Sequence, residues 1–574
     1  MMSNLSLKTN TRAWPLAPFA LAWVCTLCSP SLVAQTLPGI GDVLQQAPPP
    51  KSDAGTPERL PAIAVPDLAA PMQALAEGPT LQVQKFEFSG NQAIDSVSLQ
   101  ALLSDAVGQA WTLPELENLA RRITLHYRSQ GHFVARAYIP AQEIVAGVVR
   151  IQVVEGRYGA FHLHNASRVD DAVLQAFLAP LGHEGTVSLT PLEHALHLIQ
   201  ETPGVRVMGA DVSPGQAVGS SDVTLKLAAT PALSGSVLWD NYGSAYTGPN
   251  RLSFNADVHS PSGQGDRVSL GGLGTMSGNL LNARTAYSTL LGSHGLRGEL
   301  GLGRTQYTLG GTYSALDAKG TADVVDATFS YPLRRVQAQA VDITLNLSHK
   351  KLEDRIMSTS TVTPKEANTV TASLQWRDED RWLETGGSTQ VSAALTLGEL
   401  TLNSASALAA DAVGTNTAGH FGKAVFSLSR VSLLPENFRL SGSLKLQQVL
   451  NHKNLDSSER MPVGGSIGVM GYPSGELTGS NAALVRLELS RALPAWTANW
   501  EHSGSLFTNW GQASAATPLS ASDARRRISD VGVGWQANHR GWMLKAQLAH
   551  GMSGTAQSEP YPRHKLLLQA GMTF

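Results

Sequence analysis

Residues 566–574 read L-L-L-Q-A-G-M-T-F, and this stretch decides the fold that we expect for the C-terminal part of the chain. Its apolar residues recur at every second position, so they share one face of an extended strand. A strand of this kind that ends in an aromatic residue is typical of the last strand of an outer-membrane β-barrel. The face comprises Leu566, Leu568, Ala570, Met572 and Phe574, and Phe574 is the predicted C-terminal barrel signal.

The same alternation of apolar and polar residues continues back to about residue 233, and it is clear at 296–302, 485–489 and 542–548. At roughly 20 residues per strand and connection, this part of the chain accommodates about sixteen strands. A soluble β-sandwich would alternate in the same way, but not usually over so many strands in an exported protein. The pattern therefore predicts a mainly β protein with a transmembrane barrel of about sixteen antiparallel strands at 231–574.

The N-terminus has the features of an export signal. Lys8 and Arg12 precede a mostly apolar segment at 14–27, and Ala34 provides a small residue after it. This order predicts a secretory signal peptide at 1–34. A membrane anchor is the alternative, but the apolar segment is short and is interrupted by prolines.

The composition argues against several classes of protein. The formal net charge is −2, which gives no indication of a nucleic-acid partner. Cys25 and Cys28 are the only cysteines and both lie in the predicted signal peptide, so we expect no disulfide in the exported chain. No run of about 18 apolar residues follows the signal peptide, so an exported protein that stays in a membrane would have to cross it as a β-barrel.

Two similar units precede the predicted barrel. In the first, 83–88 alternates as a strand, and Thr112 and Glu115 are predicted to form a capping box at the start of an amphipathic helix. In the second, Thr190 and Glu193 are predicted to form another capping box, and strands follow it. The repeat predicts two α+β domains in tandem, although such small repeats do not by themselves indicate a function.

Several motifs occur along the chain in an order that matches a known family. They are F-E-F-S-G-N at 86–91, I-Q-V-V-E-G at 151–156 and D-N-Y-G-S at 240–244. Taken in this order, they make the sequence similar to the two-partner secretion transporters of the ShlB/FhaC/HecB type, or TpsB proteins. The superfamily of these transporters also contains the BamA insertases.

The resemblance implies a plug helix, a linker, two POTRA domains and a barrel, in that order. The plug helix would lie at 35–46, a proline-rich linker at 47–79, and the POTRA domains at 80–157 and 158–230. A disordered N-terminal tail is the alternative for 35–46. The resemblance also implies a barrel entry motif, which comprises Asp240, Asn241, Gly243, Gly248 and Arg251.

The implied function is protein transport in the bacterial outer membrane, with the POTRA domains in the periplasm. Such a transporter recognises an unfolded cognate exoprotein, TpsA-like, and secretes it through the barrel. Whether a haemolysin- or adhesin-type cargo is also activated stays open. The expected partners are the exoprotein, outer-membrane lipids and the barrel-assembly machinery that inserts the chain itself. The alternative is a BamA-like insertase that assembles other outer-membrane proteins.

Residues 464–479 read G-G-S-I-G-V-M-G-Y-P-S-G-E-L-T-G, and the resemblance implies that this loop folds back into the barrel. The family's loop tip reads V-R-G-Y or V-R-G-F, and its arginine pairs with an aspartate of an F-x-D-x-G motif on the inner barrel wall. Here the tip reads Val469, Met470, Gly471 and Tyr472, and the wall motif has Phe507, Asn509 and Gly511.

Both charges of that pair are therefore absent together. Removing one partner of a buried ion pair costs about 3–5 kcal/mol, whereas replacing both can be close to neutral. Our hypothesis is that the loop still enters the lumen, held by packing of Met470 and by hydrogen bonds of Asn509. The alternatives are a looser loop or an alignment that is wrong by one residue.

Several patterns that resemble chemical sites lack the context that the chemistry needs. Residues 464–468 match G-x-S-x-G around Ser466, but no helix follows, so a hydrolase remains only a third hypothesis. His194 and His197 lie three apart on a predicted helix, and we expect them to be solvated because no carboxylate or cysteine cluster accompanies them. We therefore expect no enzyme activity, no catalytic residue, no cofactor and no metal.

Overall fold

The computed structural model describes residues 37–46, 60–64, 79–183, 186–217, 219–380, 385–495, 500–519, 524–559 and 562–574. The predicted signal peptide at 1–34 and most of the predicted linker at 47–79 lie outside the described residues. Within Pro38–Phe574, which form one compact unit, the chain begins with helix α1 (Ile40–Gln46) and the short strand β1 (Ile63–Ala64). The helix is thus shorter than the predicted 35–46.

The first α+β unit contains a three-stranded sheet beside two helices. Its elements are β2 (Leu81–Gln82), β3 (Lys85–Ser89), α2 (Ser96–Leu102), β4 (Ala110–Trp111), α3 (Leu113–Ser129), β5 (Arg136–Tyr138) and β6 (Val148–Val154). The sheet order is β3-β6-β5, and β2 pairs with β4. The predicted capping box is present, because the Thr112 backbone N–H donates to Glu115 Oε2 at 2.7 Å at the start of α3.

The second α+β unit has a four-stranded sheet. Its elements are β7 (Arg157–Ala166), α4 (Asp171–Leu178), α5 (Leu189–Gln200), β8 (Val205–Pro214) and β9 (Ser220–Ala229). The sheet order is β1-β8-β9-β7, so β1 from the predicted linker adds an edge strand, parallel to β8. The predicted capping box at Thr190 is wrong. Ser188 is the last extended residue, so α5 begins at Leu189 and Thr190 already lies in its first turn.

The rest of the chain forms a closed barrel, and the prediction of about sixteen strands is confirmed by sixteen antiparallel strands. The strands are β10 (Leu233–Asp240), β11 (Arg251–His259), β12 (Arg267–Thr275), β13 (Leu280–Leu290), β14 (Arg297–Thr308), β15 (Ala318–Val336), β16 (Gln339–Ile356), β17 (Thr361–Asp380), β18 (Gly387–Leu402), β19 (Gly419–Leu434), β20 (Phe438–Val449), β23 (Asn481–Leu493), β24 (Glu501–Ser514), β25 (Arg526–His539), β26 (Trp542–Gly551) and β27 (His564–Thr573). Helix α6 (Ala405–Val413) lies between β18 and β19. Strands β21 (Met461–Pro462) and β22 (Thr478–Gly479) pair with each other in the connection between β20 and β23.

The two faces of the barrel strands differ as the alternation predicts. On β16, for example, Ile343, Leu345 and Leu347 point outward and are each at least 40% exposed, and polar residues alternate with them. Such an outward apolar surface suits contact with lipid hydrocarbon. No helix in the described part of the chain is both long and apolar enough to cross a membrane.

Candidate functional site: the occupied lumen of the barrel

The connection between β20 and β23 folds back into the barrel, and its tip is buried. Val469, Met470 and Tyr472 are each at most 2% exposed. The tip turns sharply, because the Val469 backbone N–H donates to Val463 O at 2.8 Å. A Cβ atom on Gly468 would lie 1.9 Å from that same oxygen, so the turn requires glycine there.

An aspartate on the barrel wall holds the tip. Asp530 of β25 accepts from the Gly471 backbone N–H at 2.6 Å through Oδ2. Its other oxygen accepts from Asn509 twice, from Nδ2 at 2.7 Å and from the backbone N–H at 3.1 Å. Among the described residues, Asn509 makes no hydrogen bond of its own to the tip, so it acts on the loop through Asp530. Nothing in the sequence alone indicated Asp530, which lies outside the wall motif.

Met470 lies in an apolar environment rather than a charged one. Its side chain packs in a buried cluster with Phe507, Ala549 and Leu567, and Tyr242 borders the cluster. The same part of the wall accommodates the loop at Gly511, where a Cβ atom would lie 2.0 Å from Val463 Cγ1.

Glu476 is a second anchor of the loop that sequence reasoning missed. Its fully buried side chain pairs with the Arg526 guanidinium on the wall, and Arg526 Nη1 also donates to Glu476 O at 3.1 Å. The carboxylate further accepts from the backbone N–H groups of Gln557 and Ser558, each at 2.9 Å, in the connection between β26 and β27. A lone glutamate in a loop rich in glycine was the only signal that could have indicated it.

The N-terminal helix α1 also lies in the lumen. The Ile40 backbone N–H donates to Asp354 Oδ1 of β16 at 2.7 Å, and Ile40 is fully buried. At the other end of α1, Gln45 Nε2 donates to Ser458 O at 2.5 Å. The helix therefore contacts both the barrel wall and residues 456–459, the stem that leads from β20 into the in-folded loop.

The stem of the loop is tied to the wall by lysines that point inward. Lys365 of β17 pairs with Asp456 at 2.7 Å. Glu459 pairs with Lys350 of β16 at 2.6 Å and with Lys423 of β19 at 2.8 Å. Three strands thus hold the segment against which α1 rests.

The barrel entry motif connects β10 to both of its neighbours in the barrel, β11 and β27. Asp240 at the end of β10 pairs with Arg251 of β11 at 2.8 Å. The Asn241 side chain continues the ladder beyond β10, since Nδ2 donates to Leu566 O and Oδ1 accepts from the Leu568 N–H, each at 2.9 Å.

The two glycines of the motif shape the turn between β10 and β11, and the C-terminal residue pairs at the seam between β10 and β27. A Cβ atom on Gly243 would lie 2.0 Å from Gly248 O, and Gly248 has a φ of +108°, so the turn after β10 requires both glycines. Phe574 and Gly235 exchange two backbone hydrogen bonds, at 2.9 and 3.0 Å, at the opposite end of the seam.

Comparison with known proteins settles the family. The family model for haemolysin secretion/activation proteins ShlB/FhaC/HecB matches residues 219–537, more than half of the chain. The chain belongs to this family. A model for POTRA domains of the ShlB type matches residues 81–156, which correspond to the first α+β unit.

Relatives and solved structures agree with this assignment. The Heme/hemopexin transporter protein HuxB of Haemophilus influenzae is 29% identical over 441 residues, 75% of each chain. The Outer membrane transporter CdiB of Escherichia coli O6:K15:H31 is 28% identical over 193 residues, 33% of this chain and 32% of that one. The solved structure of CdiB from Escherichia coli has the same fold, with a TM-score of 0.69 and 18% identity over 88% of this chain and 93% of that one. CdiB from Acinetobacter baumannii gives a TM-score of 0.62, with 15% identity over 90% and 95% of the chains.

This ShlB/FhaC/HecB-family chain is therefore an outer-membrane transporter of a secreted protein, with its POTRA domains in the periplasm. The second POTRA domain contacts the barrel at the periplasmic end, where Arg335 pairs with Glu201 at 2.8 Å and with Asp342 at 2.5 Å. His194 and His197 of α5 lie half-buried near this arginine, and burial, followed by Arg335, lowers the pKa of both rings. The expectation that these histidines are solvated is wrong, because α5 packs against the rim of the barrel at β15.

Sites for other chemistry find little support in the described residues. No hydrogen bond there joins Ser466 to a histidine or a carboxylate, and Ser466 lies in a glycine-rich turn of the in-folded loop. Within the same residues, no group of three or more histidine, cysteine, aspartate or glutamate side chains could hold a metal ion.

Proposed function

We propose that the chain secretes one cognate protein in an unfolded form, and that α1 and the loop at 464–479 must both leave the lumen before the cargo passes. The observation that supports this is the double occupancy of the barrel, by α1 at Asp354 and Ser458 and by the loop tip at Asp530. An unfolded chain cannot share this space with both elements.

We also propose the domain assignment that underlies this mechanism. Residues 1–34 would be the signal peptide, 35–46 the plug and 47–79 the linker. The POTRA domains would occupy 80–157 and 158–230, and the barrel 231–574. The contacts of α1 inside the barrel support its role as a plug, and β7 suggests that the boundary between the POTRA domains lies close to Arg157.

Cargo would be captured by addition of a strand to a POTRA sheet, because extended segments bind sheet edges through main-chain hydrogen bonds. In the described part of the chain, β5 and β7 each pair with a strand on one side only. At the other edge of the second POTRA sheet, β1 already pairs with β8, with Ile63 opposite Ala210. Cargo that binds there would have to displace β1.

The nature of the cargo can be narrowed only through relatives. HuxB is named a heme/hemopexin transporter protein, so a secreted haem- or haemopexin-binding protein is the first cargo to test. The second cargo to test is a haemolysin-type protein that is activated as well as secreted, since the family is named for haemolysin secretion and activation. In this proposal the chain catalyses no covalent reaction, and folding of the cargo outside the cell drives passage.

The outer-membrane lipids and the barrel-assembly machinery would be further partners. Outward-facing apolar residues such as Leu345 and Leu347 support contact with lipid. The names of the relatives HuxB and CdiB as transporters argue against a BamA-like insertase.

The decisive experiment is depletion of the protein in its own host, followed by comparison of the secreted and outer-membrane proteomes. We expect one or a few large secreted proteins to disappear while the outer-membrane proteins stay unchanged. A chromosomal copy of the wild-type gene should restore them. A broad fall in outer-membrane barrels would instead indicate an insertase and would overturn the proposal.

A further inference from the structure

Two histidines face each other on the outside of the barrel. His550 of β26 and His564 of β27 are directly paired in the antiparallel ladder. Their rings are 4.5 Å apart between centroids, and their Nδ1 atoms are 3.2 Å apart. Their separation in sequence gives no sign of this, since the long connection between β26 and β27 intervenes.

The pair lies at the end of the barrel that faces the cell exterior. Strand β26 ends at Gly551 and β27 begins at His564, whereas the C-terminal end of β27 lies beside the start of β10, which follows the second POTRA domain. The next outward-facing pair toward the periplasm is Leu548 and Leu566, which are 46% and 54% exposed. The histidines thus follow these outward-facing leucines on the side toward the cell exterior.

We propose that His550 and His564 form a binding site for a divalent late-transition-metal ion such as Cu²⁺ or Zn²⁺. Imidazole nitrogens suit these ions, and Cu²⁺ binds most tightly among the divalent first-row metals. Two nitrogens about 2.05 Å from a tetrahedral metal are about 3.3 Å apart, close to the 3.2 Å between the Nδ1 atoms.

The backbone holds this geometry in place before any metal arrives. The two residues form the last pair of a regular ladder, in which Ala549 lies opposite Lys565 and Leu548 opposite Leu566. Only side-chain torsions therefore need to adjust on binding, which lowers the entropic cost of chelation. With two protein ligands, the remaining coordination positions are open to water or to an external ligand.

The simpler explanation of the short distance is a hydrogen bond, in which one Nδ1–H donates to the other Nδ1. The two explanations make different predictions. A shared proton leaves the pair with no preference for metal. In a metal site the ring that carries the proton on Nδ1 holds it on Nε2 instead, so that both Nδ1 atoms coordinate the ion, and the ion is lost in acid, when protons compete for both nitrogens.

Metal binding would also connect β26 to β27, the strand that closes the barrel against β10. A ligand that binds only the folded state stabilises it. We therefore expect Zn²⁺ to raise the temperature at which the barrel unfolds, and this increase should depend on both histidines.

The test uses the full-length protein without an affinity tag, purified in detergent and titrated with Cu²⁺. Electron paramagnetic resonance should show one tight equivalent of Cu²⁺ with coupling to two nitrogens. His550→Gln and His564→Gln should each lose the two-nitrogen signal, and the increase in unfolding temperature with Zn²⁺ should disappear in both. His349→Gln is the matched control, because His349 also faces outward in the extracellular half of β16 but its Nδ1 bonds Asn368 at 2.7 Å.

His349→Gln should bind Cu²⁺ as the wild type does. Folding of each variant is checked by the heat-dependent shift of the barrel on semi-native gels. Two outcomes would overturn the proposal: no tight Cu²⁺ in the wild type, or an unchanged two-nitrogen signal in either variant of the pair.

Discussion

Glu476 of the in-folded loop and Arg526 of β25 form an ion pair inside the barrel, with the carboxylate on the loop and the guanidinium on the wall. The family resemblance implies the opposite arrangement, with an arginine at the loop tip and an aspartate on the wall. In this chain Met470 and Asn509 occupy those two positions, and the tip bonds Asp530 through the Gly471 backbone instead. The loop therefore keeps a charged anchor, but at its base and with the signs exchanged.

Removal of the Glu476 carboxylate should loosen the loop. In Glu476→Ala, Arg526 loses its carboxylate partner and keeps only the bond to the backbone oxygen of residue 476, and the two backbone N–H groups of the connection after β26 lose their acceptor. Stranding one partner of a buried pair costs up to about 3–5 kcal/mol. We expect larger or more frequent channel openings in planar lipid bilayers and faster proteolysis within 464–479.

The matched control is Glu436→Ala, because Glu436 pairs with Arg491 at 3.6 Å on an exposed surface. Such pairs contribute about 0–1 kcal/mol, so this variant should conduct as the wild type does. Equal conductance of Glu476→Ala and the wild type would show that the buried pair does not hold the loop.

The contact between Gly511 and Val463 predicts a rescue. In Gly511→Ala the new methyl group would lie 2.0 Å from Val463 Cγ1, and overpacking of this kind costs about 1–3 kcal/mol. Val463 is β-branched and has little rotamer freedom with which to relieve the clash. The double variant Val463→Ala/Gly511→Ala should recover the thermal stability that Gly511→Ala loses, and additive losses would refute this contact.

The fold of the barrel could be predicted from sequence because its cause is local. Each barrel strand has one face toward lipid and one toward the lumen. Apolar residues such as Leu345 and Leu347 therefore occur at every second position, and this alternation is visible in the sequence. The start of α5 could not be placed in the same way. Thr190 has a suitable side chain for a cap, but the residue with the extended backbone of an N-cap is Ser188, directly before the first residue of α5.

The site was predictable only in part, because its contacts join distant parts of the chain. The resemblance identified which loop and which strand to consider, and Met470 and Phe507 do lie in one cluster. Asp530 and Glu476 could not be identified, since their partners come from strands whose register no single sequence specifies. A charge pair with exchanged signs leaves no motif at the expected positions.

The plug depends on a close approach at Gly41. A Cβ atom there would lie 2.2 Å from Ser457 Oγ and 2.4 Å from the Ser458 backbone nitrogen. Gly41→Leu should therefore displace α1 from the lumen and raise channel conductance. Gly182→Leu is the control, because a Cβ atom on Gly182 meets no atom within 4 Å, and its conductance should match that of the wild type. Unchanged conductance in Gly41→Leu would mean that α1 tolerates the substitution in place.

The joint between the second POTRA domain and the barrel should weaken in acid. The pKa values of His194 and His197 are lowered by burial and by Arg335, so between those values and about 6.5 the unfolded chain binds more protons than the folded one. The stabilising contribution is complete above about pH 6.5 and is lost as the pH falls. Burial raises the pKa values of Glu193 and Glu201, which favours the folded state in acid and opposes this effect.

The contribution of the histidines is isolated by comparing His194→Gln/His197→Gln with the wild type. We expect the wild type to lose more thermal stability than this double variant between about pH 7.5 and about pH 5.5. His164→Gln, on the exposed face of β7, should behave as the wild type does. Identical pH dependence in the wild type and the double variant would exclude a role for the pair.

The Asn241 side chain should contribute measurably to closure of the barrel. It provides one donor and one acceptor to β27, where β10 has already ended, so Asn241→Leu removes two hydrogen bonds and leaves Leu566 O and Leu568 N without their partner. At about 1 kcal/mol each, the loss is about 2 kcal/mol. Asn241→Asp keeps the acceptor but cannot donate, so its loss should be intermediate. The temperature at which the folded band disappears on semi-native gels should fall in the order wild type, Asn241→Asp, Asn241→Leu. The exposed Asn250→Leu should unfold at the same temperature as the wild type, and an equal fall in that control would mean that an exposed leucine itself lowers the stability, without any role for the seam.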